Sequence, residues 1–130
     1  MYDSPGGSAS RPTERTARVV MLRDELDLLT APALRARLDL LTAGPRPDLV
    51  LDLRPVSFID CAGLGVLCRA RNRVLARRGR LRLVTDSTFL RRVLRHAGLA
   101  GVFEVLPGMP EGVAGTASAL TASSADGAPV

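Results

Sequence analysis

Two periods alternate along the middle of this chain. ARVVML, residues 17–22, is a short apolar run bounded by charge and predicts a strand. In the following ELDLLTAPALRARLDLLTAG the period changes. Leu34, Leu38 and Leu41 recur at i, i+4 and i+7, the spacing of one helix face. Thr30 can cap that helix, Pro32 suits its first turn, and Gly44, followed by Pro45 and Pro47, marks its end. DLVLDL, 48–53, reads as a strand that is central or buried on both faces. VSFI then closes on Asp60 as a buried strand would. A second helix is predicted from Leu64 to Arg78, with Val66, Leu67, Ala70 and Val74 on one side and Arg69, Asn72 and Arg73 on the other. Arg71 falls at the edge of the apolar arc, where its stem can snorkel. RLRLV, 80–84, alternates charge and apolar and predicts a half-exposed strand. In the third helix Ser87 can cap, Phe89, Leu90, Val93 and Leu94 form the apolar face, and Gly98 is the stop. VFEVLP, 102–107, is a last short strand.

The resulting order, β-α-β-α-β-α-β, predicts an α/β layer fold with helices packed on a sheet. The ends differ from the middle. Residues 1–16 are rich in Ser, Gly, Pro and charge and are expected to be a disordered arm. Residues 108–130 are expected to be a flexible tail, where EGVAGTASALTA can form a weak last helix opposed by Gly112 and Gly115. That leaves 17–107 as the one folded domain. No apolar run approaches the roughly 18 residues that a membrane span needs, so no membrane partner is expected. The reading is a soluble, reduced, cytoplasmic protein.

Composition narrows the chemistry. Aromatic residues make up 3% of the chain with no Trp, so the core is aliphatic and platforms for stacking bases are missing. All 18 basic residues are Arg and the net charge is +5, which favours an acidic partner. Between Cys61 and Thr85 lie seven arginines and no acid, a basic stripe that keeps nucleic acid open as a lesser alternative. Cys61 and Cys68 stand seven apart, about 10 Å on one helix and too far for a disulfide. With one His and no CxxC pair, no metal and no cofactor are expected.

One stretch asks for explanation. In VSFIDCAGLG, residues 56–65, an apolar run ends in an acid, a thiol and two glycines. A nucleophile at Cys61 would need a base, and His96, the only histidine, has no nameable orienting residue, so no catalytic residue is assigned. A helix N-terminus attracts anions, but GLG is neither phosphate-loop signature and no lysine is present. Read locally, the bland account is favoured: glycines permit a tight turn and close packing, small residues fit little room, and Asp60 caps the helix.

Four linked stretches, ELDLLTAPALRARLDLL, LVLDLRPVSFIDCAGLGVLCRARNRV and the two halves of GRLRLVTDSTFLRRVLRHAGLAGVFEVLP, resemble the STAS domain, and the free-standing bacterial anti-sigma factor antagonists most. The resemblance implies a small mixed β-sheet of four to five strands with helices packed on it. It also implies a loop written D-S-x-G-L-G before the second helix. In that family the Ser is phosphorylated by a partner that is both anti-sigma factor and Ser/Thr kinase. Unphosphorylated antagonist binds this partner and frees the sigma factor; phosphate, nearly two negative charges on the docking surface, abolishes binding.

Carried across residue by residue, Asp60, Gly63, Leu64 and Gly65 match the motif, Asp27 matches a second family acid, and Cys61 takes the phospho-acceptor position. Asp24 stands where the family usually has Gly. Ala62 offers no hydroxyl, and Ser57 is expected to face inward or be paired. The implied function is docking on an anti-sigma factor or related kinase-type regulator through Asp27, residues 60–65 (Ala62 among them), Arg69, Asn72 and Arg73. The alternatives are an orphan module with a redox-sensing thiol at Cys61 and the basic nucleic-acid binder.

Overall fold

The computed structural model describes residues 17–111 and 117–121. Along them run β1 (Arg18–Leu26), α1 (Ala31–Leu41), β2 (Asp48–Asp52), β3 (Val56–Ile59), α2 (Cys61–Ala76), β4 (Arg80–Val84), α3 (Thr88–His96), β5 (Glu104–Leu106) and β6 (Ala117–Thr121). The hydrogen-bonded strand order is β3-β1-β2-β4-β5, with β6 also paired to β1. Two features depart from the expected sheet. It has six strands rather than four to five, and every pairing among the described residues is parallel rather than mixed.

Period two along the strands sorts their side chains onto two faces. Val20 and Leu22 of β1, Leu49 and Leu51 of β2, and Leu81 and Leu83 of β4 face the helices. Against them pack Leu34 and Leu38 of α1, Val66, Leu67, Ala70 and Val74 of α2, and Leu90 and Leu94 of α3. Val19, Val50 and Val84, with Ala17, form a smaller cluster on the other face. The predicted helix stripes are therefore the core, except that Phe89 is left exposed. As its position predicts, Gly98 follows α3 with a left-handed φ of 76°.

Some boundaries moved for identifiable reasons. β1 runs four residues past the expected Leu22, through a register shift between Asp24 and Glu25 where β3 begins to pair. Asp24 there has φ 67°, the left-handed conformation that glycine adopts without penalty, so the turn is kept although the glycine is not. α1 ends at Leu41 with Thr42 as C-cap, and the left-handed residue beyond it is Arg46, not Gly44. Arg82 overturns the half-exposed reading of β4: it is buried and its guanidinium donates to Asp48 Oδ1 at 2.9 Å.

β6 falls within the piece expected to be a weak helix in a flexible tail; it is a strand paired along 19–23 of β1. An edge of unpaired backbone groups is a template for any nearby extended segment, and Gly112 and Gly115 disfavour the competing helix. Of the expected arm and tail, 108–111 is described, and 1–16, 112–116 and 122–130 lie outside the described residues.

Candidate functional site

Parallel strands carry their following turns to one end of the sheet, and the β1–α1 and β3–α2 turns meet there. Asp60 joins them. Its backbone is extended, and its carboxylate accepts from Gly63 N at 3.1 Å and from Leu28 N at 3.3 Å. The first bond caps α2; the second reaches across to the other turn. Because that cap satisfies an orphan amide of the first turn, α2 starts at Cys61, three residues earlier than its apolar stripe suggested.

Asp27 organises the β1–α1 turn. Its Oδ1 accepts from Leu29 N at 3.0 Å and Thr30 N at 3.1 Å. Thr30 does not cap α1 with its side chain, as its sequence position suggested; its hydroxyl donates to Glu25 O at 3.0 Å and accepts from Asp27 N. The two family acids thus hold three consecutive backbone amides, 28 to 30, in one conformation.

The two glycines of the motif differ. A Cβ at Gly63 would overlap Leu26 O and lie 2.8 Å from Leu26 Cβ and 2.9 Å from Ile59 Cγ1. Only glycine lets α2 approach the strands this closely. A Cβ at Gly65 would meet nothing within 4 Å. The bland account therefore covers Gly63 and leaves Gly65 unexplained.

Cys61 is exposed, at the first residue of α2. Around it, Gly65 and Asn72 are exposed, Asp27, Asp60 and Ala62 are half-buried, and Gly63 and Leu64 are buried, shaping the loop from within. Arg69 and Arg73 turn toward α1. Arg69 makes a bidentate pair with Asp39 at 3.0 and 2.9 Å, and Arg73 donates to Thr42 Oγ1 at 2.9 Å and Asp39 O at 3.0 Å. The Arg69 guanidinium holds the Asp39 carboxyl below the usual carboxylate range.

Much of the basic stripe is spent within the fold. Arg80 pairs with Glu104, Arg82 with Asp48, and Arg71 and Arg77 donate to the carbonyls of Val102 and Ala43. Little of it remains for phosphates. Among the described residues no group of His, Cys, Asp and Glu is placed to hold a metal ion, and no helix is long and apolar enough to cross a membrane.

Several surface residues escaped the sequence reading. Leu28 and Leu29 are 72% and 85% exposed on the turn that Asp27 and Asp60 fix. Phe58 is exposed on β3, and Ser57, expected inward or paired, is exposed beside it. At Leu28 a groove of about 310 Å³ runs between α1 and α2, lined also by Pro32, Ala62, Gly65 and Val66, with Arg69 and the exposed Arg35. The available signal was a pair of leucines in a turn, ahead of the helix stripe that accounts for the later ones.

The sequence pattern of the STAS domain matches residues 9–111. The chain belongs to the STAS domain family. Its match begins before the expected domain start at 17 and ends after 107. Among solved structures, this STAS domain is similar to an anti-sigma factor antagonist from Mycobacterium paratuberculosis. Identity is 28% and the TM-score 0.63, over 72% of this chain and 82% of that one. It also shares the fold of the anti-sigma factor antagonist SpoIIAA in its unphosphorylated form, at 21% identity and TM-score 0.56, over 73% of this chain and 83% of that one. A search of curated protein sequences found no match.

Proposed function

We propose that this STAS domain is an anti-sigma factor antagonist that docks on an anti-sigma factor or related kinase-type regulator through the loop before α2, with Cys61 replacing the phosphorylated serine. The observation that carries the reading is the exposure of Cys61 at the first residue of α2, directly after Asp60, whose carboxylate caps that helix and ties it to the neighbouring turn that Asp27 organises. A rigid, solvent-facing knob loses little conformational freedom on binding. The similarity to an antagonist of known structure supports the role.

The thiol changes the regulation. A Ser/Thr kinase transfers phosphate to a hydroxyl, and neither Cys61 nor Ala62 has one. Docking is therefore constitutive with respect to the kinase activity of its partner. The helix N-terminus would tolerate a phosphate through its free amides, so a restored serine would be switched off at the interface rather than by unfolding.

The test is Cys61→Ser, presented beside the natural chain to purified anti-sigma factor kinases of the source organism with ATP. The natural chain should bind and stay bound, unphosphorylated. The serine variant should bind, acquire phosphate at residue 61 and dissociate. Phosphorylation of the natural chain, or a serine variant that binds a kinase yet is never modified, would end this reading.

A further inference from the structure

Gly65 is an anomaly inside the fold. It lies in the interior of a 16-residue helix, is exposed, and has no neighbour that a methyl group would touch. Glycine in a helix interior is destabilising relative to alanine. At Gly63 the close approach of Leu26 accounts for that cost; at Gly65 nothing within the molecule does. What Gly65 does is deepen the groove between α1 and α2.

The surroundings of that notch match its character. Its walls are Leu28, Pro32, Ala62 and Val66, and the exposed Leu29 follows Leu28 on the same turn. The Leu28 and Leu29 amides are pinned by Asp60 and Asp27, so these apolar side chains are held out in water by a rigid turn. Arg35 lines the same groove and makes no ion pair among the described residues, whereas Arg69 on the opposite helix is engaged by Asp39.

We infer that the notch at Gly65 receives a bulky aliphatic or aromatic side chain of the protein partner, flanked by a carboxylate that meets Arg35. The inference rests on the docking reading above and names the partner chemistry that the site selects. The contact centre is apolar and dry, with one charge pair at its margin, the arrangement in which a few anchors carry most of the binding.

The experiment measures Kd of purified anti-sigma factor kinases of the source organism for the natural chain and for four variants. Gly65→Leu fills the notch and should weaken binding on the order of 100-fold, as loss of a central anchor does. Leu28→Ser and Arg35→Glu should each weaken it on the order of 10-fold, while Arg92→Glu on the exposed face of α3 makes the same charge change and should have no effect. Gly65→Ala, measured alone, should raise Tm by a few degrees; a lower Tm would show that the fold itself needs this glycine and would overturn the inference. So would a kinase that binds the natural chain and the three groove variants equally, with the docking reading left standing. Failure of every kinase to bind the natural chain would remove the docking reading and the inference together.

Discussion

The backbone amide of Leu28 donates to the carboxylate of Asp60, 32 residues further along the chain. One side chain therefore caps α2 and fixes the neighbouring turn. Asp60→Ala should cost about 1–2 kcal/mol, a lost cap with a second amide left without its partner. Amide hydrogen exchange should accelerate at both Leu28 and Gly63. Acceleration at Gly63 alone would mean that the bond between the turns contributes nothing.

Gly63 and Gly65 should respond oppositely to the same substitution. Gly63→Ala forces a methyl into Leu26 O, which is backbone and cannot swing aside, so α2 must shift. A loss of roughly 1–3 kcal/mol is expected, against a gain of up to about 1 kcal/mol for Gly65→Ala. Denaturant titration of the two variants checks the pair; equal effects would contradict the difference in their surroundings.

The thiols should also separate. Cys61 is exposed, while Cys68 is half-buried and packs against the core. Their spacing of about 10 Å along α2 forbids a bond between them. A chromogenic disulfide reagent should titrate one thiol quickly and the second slowly in the folded chain. Oxidation should yield no intramolecular disulfide, which mass spectrometry under non-reducing conditions would reveal.

Three carboxyls make stability fall in acid. Hydrogen bonds from Arg69, Arg54 and Arg80 hold Asp39, Asp52 and Glu104 below their ordinary range. A depressed folded-state pKa means that the folded form keeps its negative charge where the unfolded form has bound a proton. The stabilisation is whole above the unfolded value near 4 and disappears as pH falls through the folded values. Tm should hold between about pH 7 and 5 and drop below about pH 4. Asp52→Asn should lower Tm at neutral pH and flatten the acid limb; an unchanged limb would show that Asp52 is no part of it.

What the sequence disclosed follows from the range of the forces involved. Periodicity is local, so the apolar stripes of α1 and α2 and the Ser87 cap, which accepts from Leu90 N, were legible. The destinations of charges are not local. Nothing in the spacing of Arg69 and Arg73 says that Asp39 waits on another helix, and so a face read as a docking surface proves to be partly a clamp between α1 and α2. The strand at 117–121 was hidden for the same reason, because it exists by pairing with β1, almost a hundred residues away. At the site, the acids and the exposed thiol were readable from the motif. The two leucines and the groove were not, since a turn's exposure depends on what the fold brings beside it.

Arg82 is the sharpest case of a local pattern overruled, and it carries its own prediction. The alternation RLRLV placed it in solvent, yet it is 8% exposed, with one guanidinium nitrogen on Asp48 Oδ1 and its Nε buried without a partner. Asp48 is the acid that pairs directly with this buried charge, with Glu104 on the neighbouring strand near enough to feel it. Asp48→Asn removes the paired acid but not the charge and should cost on the order of 3 kcal/mol. The double variant Asp48→Leu, Arg82→Met removes the desolvation penalty together with the attraction and should recover most of that loss. A thermodynamic cycle of Asp48→Leu, Arg82→Met and the double variant, by denaturant unfolding, reads the coupling directly. If the double variant is no more stable than Asp48→Asn, the ion pair contributes net stability that an apolar pair cannot replace.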